Sequence, residues 1–403
     1  MSECLICGGR VEPFISFGQQ PIANRFVDSQ SEINNEHFFE LEVGLCSNEF
    51  CRMVQLTNTV EREEMFHDDY AYFSQTSKGQ TAHFAELAES IRRKRGDDQF
   101  VVEIGCNDGI FLRNFLETGC SVLGIEPSAN VAAAAREQGI EVECSFFDMD
   151  VADRILESRG HADVIFAANT FCHIPYLGSV VKGIKRLLAP DGVFIFEDPY
   201  LGDIIEKTSY DQIYDEHAFY FSVTSVRNLC NRYGLDVVDV DHQDVHGGSM
   251  RYTISHQGKW VSNAAVKNQE LAEAGLGDMA TYERFRENVE ASRAQLRQLL
   301  ITRQEQGKRV VGYGATSKST TVLNYCDIGP ELIEFISDTT PGKQGKLTPG
   351  THIPVRPYAD FADNPPDSAV LFAWNHAKEI MEKESFAGEW ITYVPKVTSS
   401  EVE

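Results

Sequence analysis

Four cysteines crowd the first 51 residues, as Cys4-Leu-Ile-Cys7 and, 38 residues further on, Cys46-Ser-Asn-Glu-Phe-Cys51. Two such knuckles can deliver four thiolates to one tetrahedral ion, and zinc suits four soft ligands with no redox change. A closed four-thiolate site leaves no open coordination position, so its role is structural. Four unligated buried thiols are the plainer alternative. A second pattern, Glu103-Ile-Gly105-Cys-Asn107-Asp108-Gly109, leaves a predicted strand and enters a predicted helix. Seventeen residues beyond Gly109, Glu126 ends the next strand, where an acid can hold two ribose hydroxyls. The turn departs from the G-x-G-x-x-G of dinucleotide folds, and its acids Glu103 and Asp108 would repel a pyrophosphate. They suit a cofactor bearing an amino acid and a sulfonium, so S-adenosylmethionine fits better than NAD. A tight turn in a sheet without ligand is the competing reading.

A third constellation follows the fifth predicted strand, in Tyr214-Asp-Glu216-His217. His173 lies a few residues after the fourth, in Asn169-Thr-Phe-Cys-His173. Two histidines, a carboxylate and a tyrosine at the edge of a methyl-donor site can abstract a proton. Asn169 is a further cofactor candidate, and Phe147 in Phe146-Phe147-Asp148 could flank an adenine. Either phenylalanine fits equally well as plain core.

These residues need a scaffold, and the hydrophobic pattern supplies one. Strands are predicted at Phe100–Ile104, Val122–Ile125, Val142–Phe146, Asp163–Ala168 and Val193–Phe196, with helices at Ile110–Glu117 and Asn130–Glu137 between them. Such βα repetition implies a parallel sheet covered on both faces. Leu235–Val240 and Ser249–Ser255 close the unit as a hairpin. Three segments result: 1–66, loop-rich and in need of a staple; 67–256, the α/β unit; and 257–403. The last opens with a helical stretch over 262–306, then turns α/β again from Lys308, with a Rossmann-like layer expected.

With 403 residues the chain has room for two or three domains. Its 61 acidic against 36 basic residues leave a net charge of −25, which disfavours nucleic acid as a partner. No long apolar run predicts a membrane span, and Met1-Ser2-Glu3-Cys4 lacks the features of a secretory signal. A cytoplasmic protein with reduced thiols is expected. A monomer is the expected state.

As a set, these motifs resemble those of the bacterial sugar C-methyltransferases that branch deoxysugars, and the likeness spans nearly the whole chain. The N-terminal part is similar through its cysteines, Pro21-Ile-Ala-Asn24 and Tyr70-Ala-Tyr72-Phe-Ser74. The middle is similar through the glycine turn, Tyr214-Asp-Glu216-His217 and His246-Gly247-Gly248-Ser249-Met-Arg251; the C-terminal part through Gly312-Tyr-Gly314-Ala-Thr-Ser-Lys318 and Trp374-Asn375. The resemblance implies a zinc-binding domain, a class I methyltransferase domain and a Rossmann-like domain that closes over a sugar nucleotide. It further implies methylation of carbon 3 of a nucleoside-diphospho-4-keto-6-deoxysugar, usually thymidine-linked. His217 is then the base, oriented or assisted by Glu216, with Tyr72, Tyr214 or His173 bonding the enolate oxygen. Tyr70 also fits the family's N-terminal tyrosine, but Ser74 stands at the offset that favours Tyr72. Asp215 is read as a solvated residue.

Arg25, Arg251, Lys318 and Asn375 are the candidates for the substrate, the cations for its diphosphate. Ser317 stands where a Walker loop needs glycine, so ATP hydrolysis is not expected. An exposed lysine after a helix-capping turn explains Lys318 equally well, and His246-Gly247-Gly248 also reads as a tight turn. Competing functions are methylation at carbon 5, nitrogen or oxygen, and a zinc-scaffolded binding protein without turnover.

Overall fold

A computed structural model describes residues 2–28, 30–61 and 78–401. In chain order its strands are β1 (Val11–Pro21), β2 (Phe38–Cys46), β3 (Val54–Leu56), β4 (Phe100–Ile104), β5 (Ser121–Ile125), β6 (Val142–Glu143), β7 (Ala162–Ala168), β8 (Leu188–Pro199), β9 (Phe219–Tyr220), β10 (Leu235–Gln243) and β11 (Ser249–His256). Six more follow: β12 (Val310–Tyr313), β13 (Ile336–Ser337), β14 (Val355–Arg356), β15 (Ser368–Leu371), β16 (Glu389–Thr392) and β17 (Thr398–Glu401). They form a four-stranded sheet β1-β2-β3-β9, a seven-stranded sheet β10-β11-β8-β7-β4-β5-β6, and a six-stranded sheet β14-β13-β12-β15-β16-β17.

The middle sheet has the order expected of a class I methyltransferase domain: β6, β5, β4, β7 and β8 run parallel, and β11 and β10 close it antiparallel. Near-continuous apolar runs such as Val-Ile-Phe-Ala in β7 suit strands buried on both faces. Predicted elements shift in length. The helix expected over Ile110–Glu117 is a short 3₁₀ turn at Leu112–Phe115, and the strand expected to reach Phe146 stops at Glu143. Asp148 accepts from the Val151 amide there and opens a helix, which takes the chain out of the sheet.

The outer segments are less separate than composition implies. The 27-residue helix Met279–Glu305 buries Tyr282, Phe285, Val289, Ser292, Leu296 and Leu300, a three-or-four spacing that makes one apolar face. This face is no mere connector: Phe14 of β1 stacks on Tyr282 with ring centroids 4.4 Å apart. Phe14, Ile15, Leu41, Leu201, Tyr210, Leu296, Val322 and Val370 share one continuous core. The N-terminal sheet and the C-terminal layer are thus packed together. Moreover β9, just after His217, pairs antiparallel with β3 and completes the N-terminal sheet.

The shared core makes a measurable demand. Phe285→Ala, at a fully buried ring, is expected to lower unfolding stability by about 3–5 kcal/mol, read from urea denaturation midpoints. Leu271→Ala, at a side chain 67% exposed, is expected to change it by less than about 0.5 kcal/mol.

Candidate active site and metal centre

The cysteine sulfurs of Cys4, Cys7, Cys46 and Cys51 all lie within 4.8 Å of one another. Cys4 and Cys51 are 3.7 Å apart and Cys7 and Cys46 3.5 Å. Four thiolates about 2.3 Å from a tetrahedral zinc are themselves about 3.8 Å apart, so the spacing fits that ion. The Gly9 amide donates to Cys7 Sγ at 3.3 Å. A Cβ on Gly9 would stand 3.1 Å from Cys7 Sγ and 3.6 Å from Cys46 Sγ, so glycine leaves room for the sulfurs. Burial pushes the Cys46 thiol up to about 12, which a metal cation reverses by stabilising thiolates.

The turn after β4 forms the second site. Gly105 has φ +70°, and a Cβ there would lie 2.4 Å from Thr170 Oγ1, so no larger residue fits. Glu126, at the end of β5, accepts from the Asn107 amide at 3.0 Å and the Ser128 amide at 2.9 Å. Glu103 and Asp108 are buried beside it. Burial, with Asp108 and Glu126 nearby, holds the Glu103 carboxyl well above the usual carboxylate range. Its Oε2 is buried without a hydrogen-bond partner among the described residues. A cationic ligand would relieve this crowding of acids, as a sulfonium and an ammonium do. Gly109 closes the turn at φ +82°, and Asn169, at φ +47°, donates its amide to the Glu197 carbonyl at 2.8 Å. Phe147 is the exception: it packs in the core with Val151, Ala152 and Ile155. The half-buried ring next to it is Phe146.

The third site gathers residues from the turn after β7 and the segment just before β9. His217 is buried, its ring centroid 4.2 Å from that of Tyr214 and 5.0 Å from that of His173. Its Nδ1 lies 2.8 Å from the Gln212 carbonyl oxygen, which accepts only from N–H. The proton is therefore on Nδ1, and Nε2 carries the lone pair. Burial first, and then His173, hold the His217 pKa well below the ordinary histidine value, so the ring is neutral. Burial likewise lowers His173 to about 4.

Glu216 does not orient His217, contrary to the sequence-based expectation. Its Oε1 accepts from the Asn24 amide at 2.6 Å, and its Oε2 lies 3.8 Å from His173 Nδ1. A main-chain carbonyl performs the expected task. Asp215 is buried rather than solvated, because its carboxylate accepts the Ala23 amide at 2.9 Å; burial pushes it up to about 7. Tyr70 and Tyr72 lie outside the described residues.

The cations are placed unevenly. Arg251 is committed to the Glu197 carboxylate, with further contacts to Asp241 and Gln243, so its charge is already countered. Despite burial, His83 and Arg251 hold Glu197 below the usual range. Arg25 is exposed and Asn375 half-buried. Lys318 is half-buried and donates to the His246 carbonyl at 3.2 Å, its ammonium 5.3 Å above the Trp374 ring. Nothing in the motif reading singled out Lys343. It donates to the Ala315 carbonyl at 2.8 Å across the same turn, and burial lowers its pKa while Asp338 and Glu216 oppose that. Its place between two glycines, Gly342 and Gly345, was the available signal.

Three family models tile the chain: a zinc binding domain over residues 4–66, a methyltransferase domain over 78–240, and a C-methyltransferase C-terminal domain over 244–395. The C-methyltransferase NovU of Streptomyces niveus is 34% identical over 406 residues, covering 98% of this chain and 96% of its own. The chain belongs to this C-methyltransferase family. It is an S-adenosylmethionine-dependent C-methyltransferase whose second cofactor is zinc. More partial likenesses confine themselves to the methyl-donor region. The ubiquinone biosynthesis O-methyltransferase of Colwellia psychrerythraea is 26% identical over 117 residues, 28% of this chain and 48% of its own. Among solved structures, magnesium protoporphyrin IX methyltransferase of Synechocystis is 11% identical, covering 44% of this chain and 80% of its own at a TM-score of 0.35. Among the described residues no helix is long and apolar enough to cross a membrane.

Metal analysis of the purified C-methyltransferase is expected to give about one zinc per chain. Cys46→Ser is expected to lose that zinc and to melt several degrees lower. Glu126→Ala, which removes the acceptor of two amides, is expected to weaken S-adenosylmethionine binding by about tenfold or more in calorimetry.

Proposed function

We propose that this C-methyltransferase methylates carbon 3 of a nucleoside-diphospho-4-keto-6-deoxysugar, with His217 as the base. One observation carries the reading: a buried, neutral imidazole has its proton fixed on Nδ1 by a carbonyl and its Nε2 open to accept. A C–H next to a ketone is the weak acid that such a base can serve, because the carbanion delocalises onto oxygen. His217 Nε2 takes the proton, and the C–H electron pair moves into an enolate. Tyr214 or His173 donates a hydrogen bond to the enolate oxygen; a neutral imidazole is a suitable donor there. Bound S-adenosylmethionine supplies the electrophilic methyl group. Carbon 3 gains the methyl as the carbon–sulfur bond breaks and its electron pair stays on sulfur.

The diphosphate is assigned to Lys318 and Lys343, on either side of the Gly314–Ser317 turn. Each ammonium spends a hydrogen bond on a main-chain carbonyl and carries three N–H groups in all. Arg251 is not assigned to it, since Glu197 already occupies its guanidinium.

The test is deuterium wash-in followed by NMR, with thymidine-diphospho-4-keto-6-deoxyglucose in D2O with and without S-adenosylmethionine. Exchange at carbon 3, then a new methyl singlet, is expected from the parent enzyme. His217→Gln is expected to slow both by about 10²–10⁴-fold while binding S-adenosylmethionine normally. Because the base titrates well below 6.5, the exchange rate is expected to show no inflection between pH 8 and 6. Parent-like exchange in His217→Gln would remove the histidine from its role. Absence of any exchange in the parent would remove this sugar.

A further inference from the structure

Glu216 is tied to the C-terminal domain through the Asn24 side chain. Ser317 Oγ donates to Asn24 Oδ1 at 2.9 Å, which fixes the amide so that Nδ2 faces Glu216 Oε1, 2.6 Å away. The other Glu216 oxygen faces His173 Nδ1. The path Ser317–Asn24–Glu216–His173 thus runs from the first turn of the helix Ser317–Tyr325, through the loop after β1, to the ring beside the base. It spans 293 residues of sequence in its first link and 192 in its second. Nothing local enforces it. The neighbouring bonds act on backbone instead: Thr320 Oγ1 donates to the Ala23 carbonyl and Thr321 Oγ1 to the Ile213 carbonyl.

We propose that Asn24 is a positioning residue: its amide aims Glu216 at His173, and Ser317 holds that amide only when the C-terminal domain is seated. The pocket that handles the proton is complete only in the fully assembled three-part enzyme, which ties chemistry to seating of the domain assigned to the substrate diphosphate. This rests on the reading that His173 and Glu216 belong to the reacting centre. An unoriented carboxylate beside a neutral histidine pair would turn to solvent or accept from the wrong partner. Held by Asn24, its second oxygen stays 3.8 Å from His173 Nδ1, close enough for its charge to bear on that ring.

Three variants test it: Asn24→Ala, Asn24→Asp and Ser317→Ala. Asn24→Ala is expected to lower kcat about tenfold, with KM and S-adenosylmethionine affinity within about twofold of the parent. Asn24→Asp places a second carboxyl against Glu216. The titratable groups around that contact are His173, His217 and Asp215 from the methyltransferase domain and Lys318 and Lys343 from the C-terminal one. Two carboxyls at one site share a proton, so this variant is expected to be about a hundredfold slower at pH 8 and to recover about tenfold by pH 6. A merely structural asparagine gives no such acid rescue. Ser317→Ala is expected to add nothing to Asn24→Ala in the double variant.

A readout that needs no sugar accompanies these rates. In ¹⁵N-histidine-labelled holoenzyme, Asn24→Ala and Ser317→Ala are each expected to move the His173 ring signals, assigned with His173→Asn. Unmoved His173 signals, or parent kcat in Asn24→Ala, overturn the proposal. Should the parent fail to turn over the thymidine-linked sugar, the substrate reading falls, while the ring signals still decide the role of Asn24.

Discussion

Four hydrogen bonds converge on two adjacent residues of one short loop. Ala23 donates its amide to Asp215 and accepts at its carbonyl from Thr320; Asn24 donates its side-chain amide to Glu216 and accepts at Oδ1 from Ser317. Asp215 and Glu216 are both buried, and a buried carboxylate without donors costs several kcal/mol. The loop after β1 gives each of them a donor and so lowers that cost. In doing so it fixes where the methyltransferase domain, the N-terminal sheet and the C-terminal layer must sit. The shared apolar core holds these parts together without direction; the loop supplies the register.

Burial of ionisable groups sets the chemistry as much as their identity does. His173 and His217 both stay neutral because desolvation disfavours their charged forms. Asp211 follows the same logic at the domain junction, where burial raises it and Lys318, Trp374 Nε1 and Tyr393 OH oppose that rise. Net charge says little here. A chain at −25 places Lys318 and Lys343 across one turn, and it spends Arg251 on Glu197 instead.

What the sequence made legible was what local pattern encodes. The cysteine knuckles, the β4 glycine turn and the acid at the end of β5 are each contained in a few consecutive residues, and each lies where its spacing implied. Lengths were less legible: β6 stops at Glu143, opposite Ile125 where its partner β5 ends, a limit that hydrophobic runs do not register. The partners of Glu216 were illegible for a different reason. Asn24 lies 192 residues away, and a carboxylate next to a histidine in sequence suggests a pair that the backbone turn prevents. There the Gln212 carbonyl reaches Nδ1 first. Phe147 and Arg251 show the same limit, since only the fold decides which of two neighbouring rings is core and which carboxylate claims a guanidinium.

The pairing of β9 with β3 has a consequence for the chain as it is made. The N-terminal sheet ends at β3 with a bare edge until β9 emerges, about 160 residues later. At ordinary rates of synthesis that interval is roughly 10–30 s. During it, an apolar strand reading Val-Gln-Leu presents unpaired amides and carbonyls to other nascent chains. The edge is closed by the same short segment that carries His217, so ribosome-bound intermediates shorter than about 220 residues keep both an open sheet and an unassembled His217 loop.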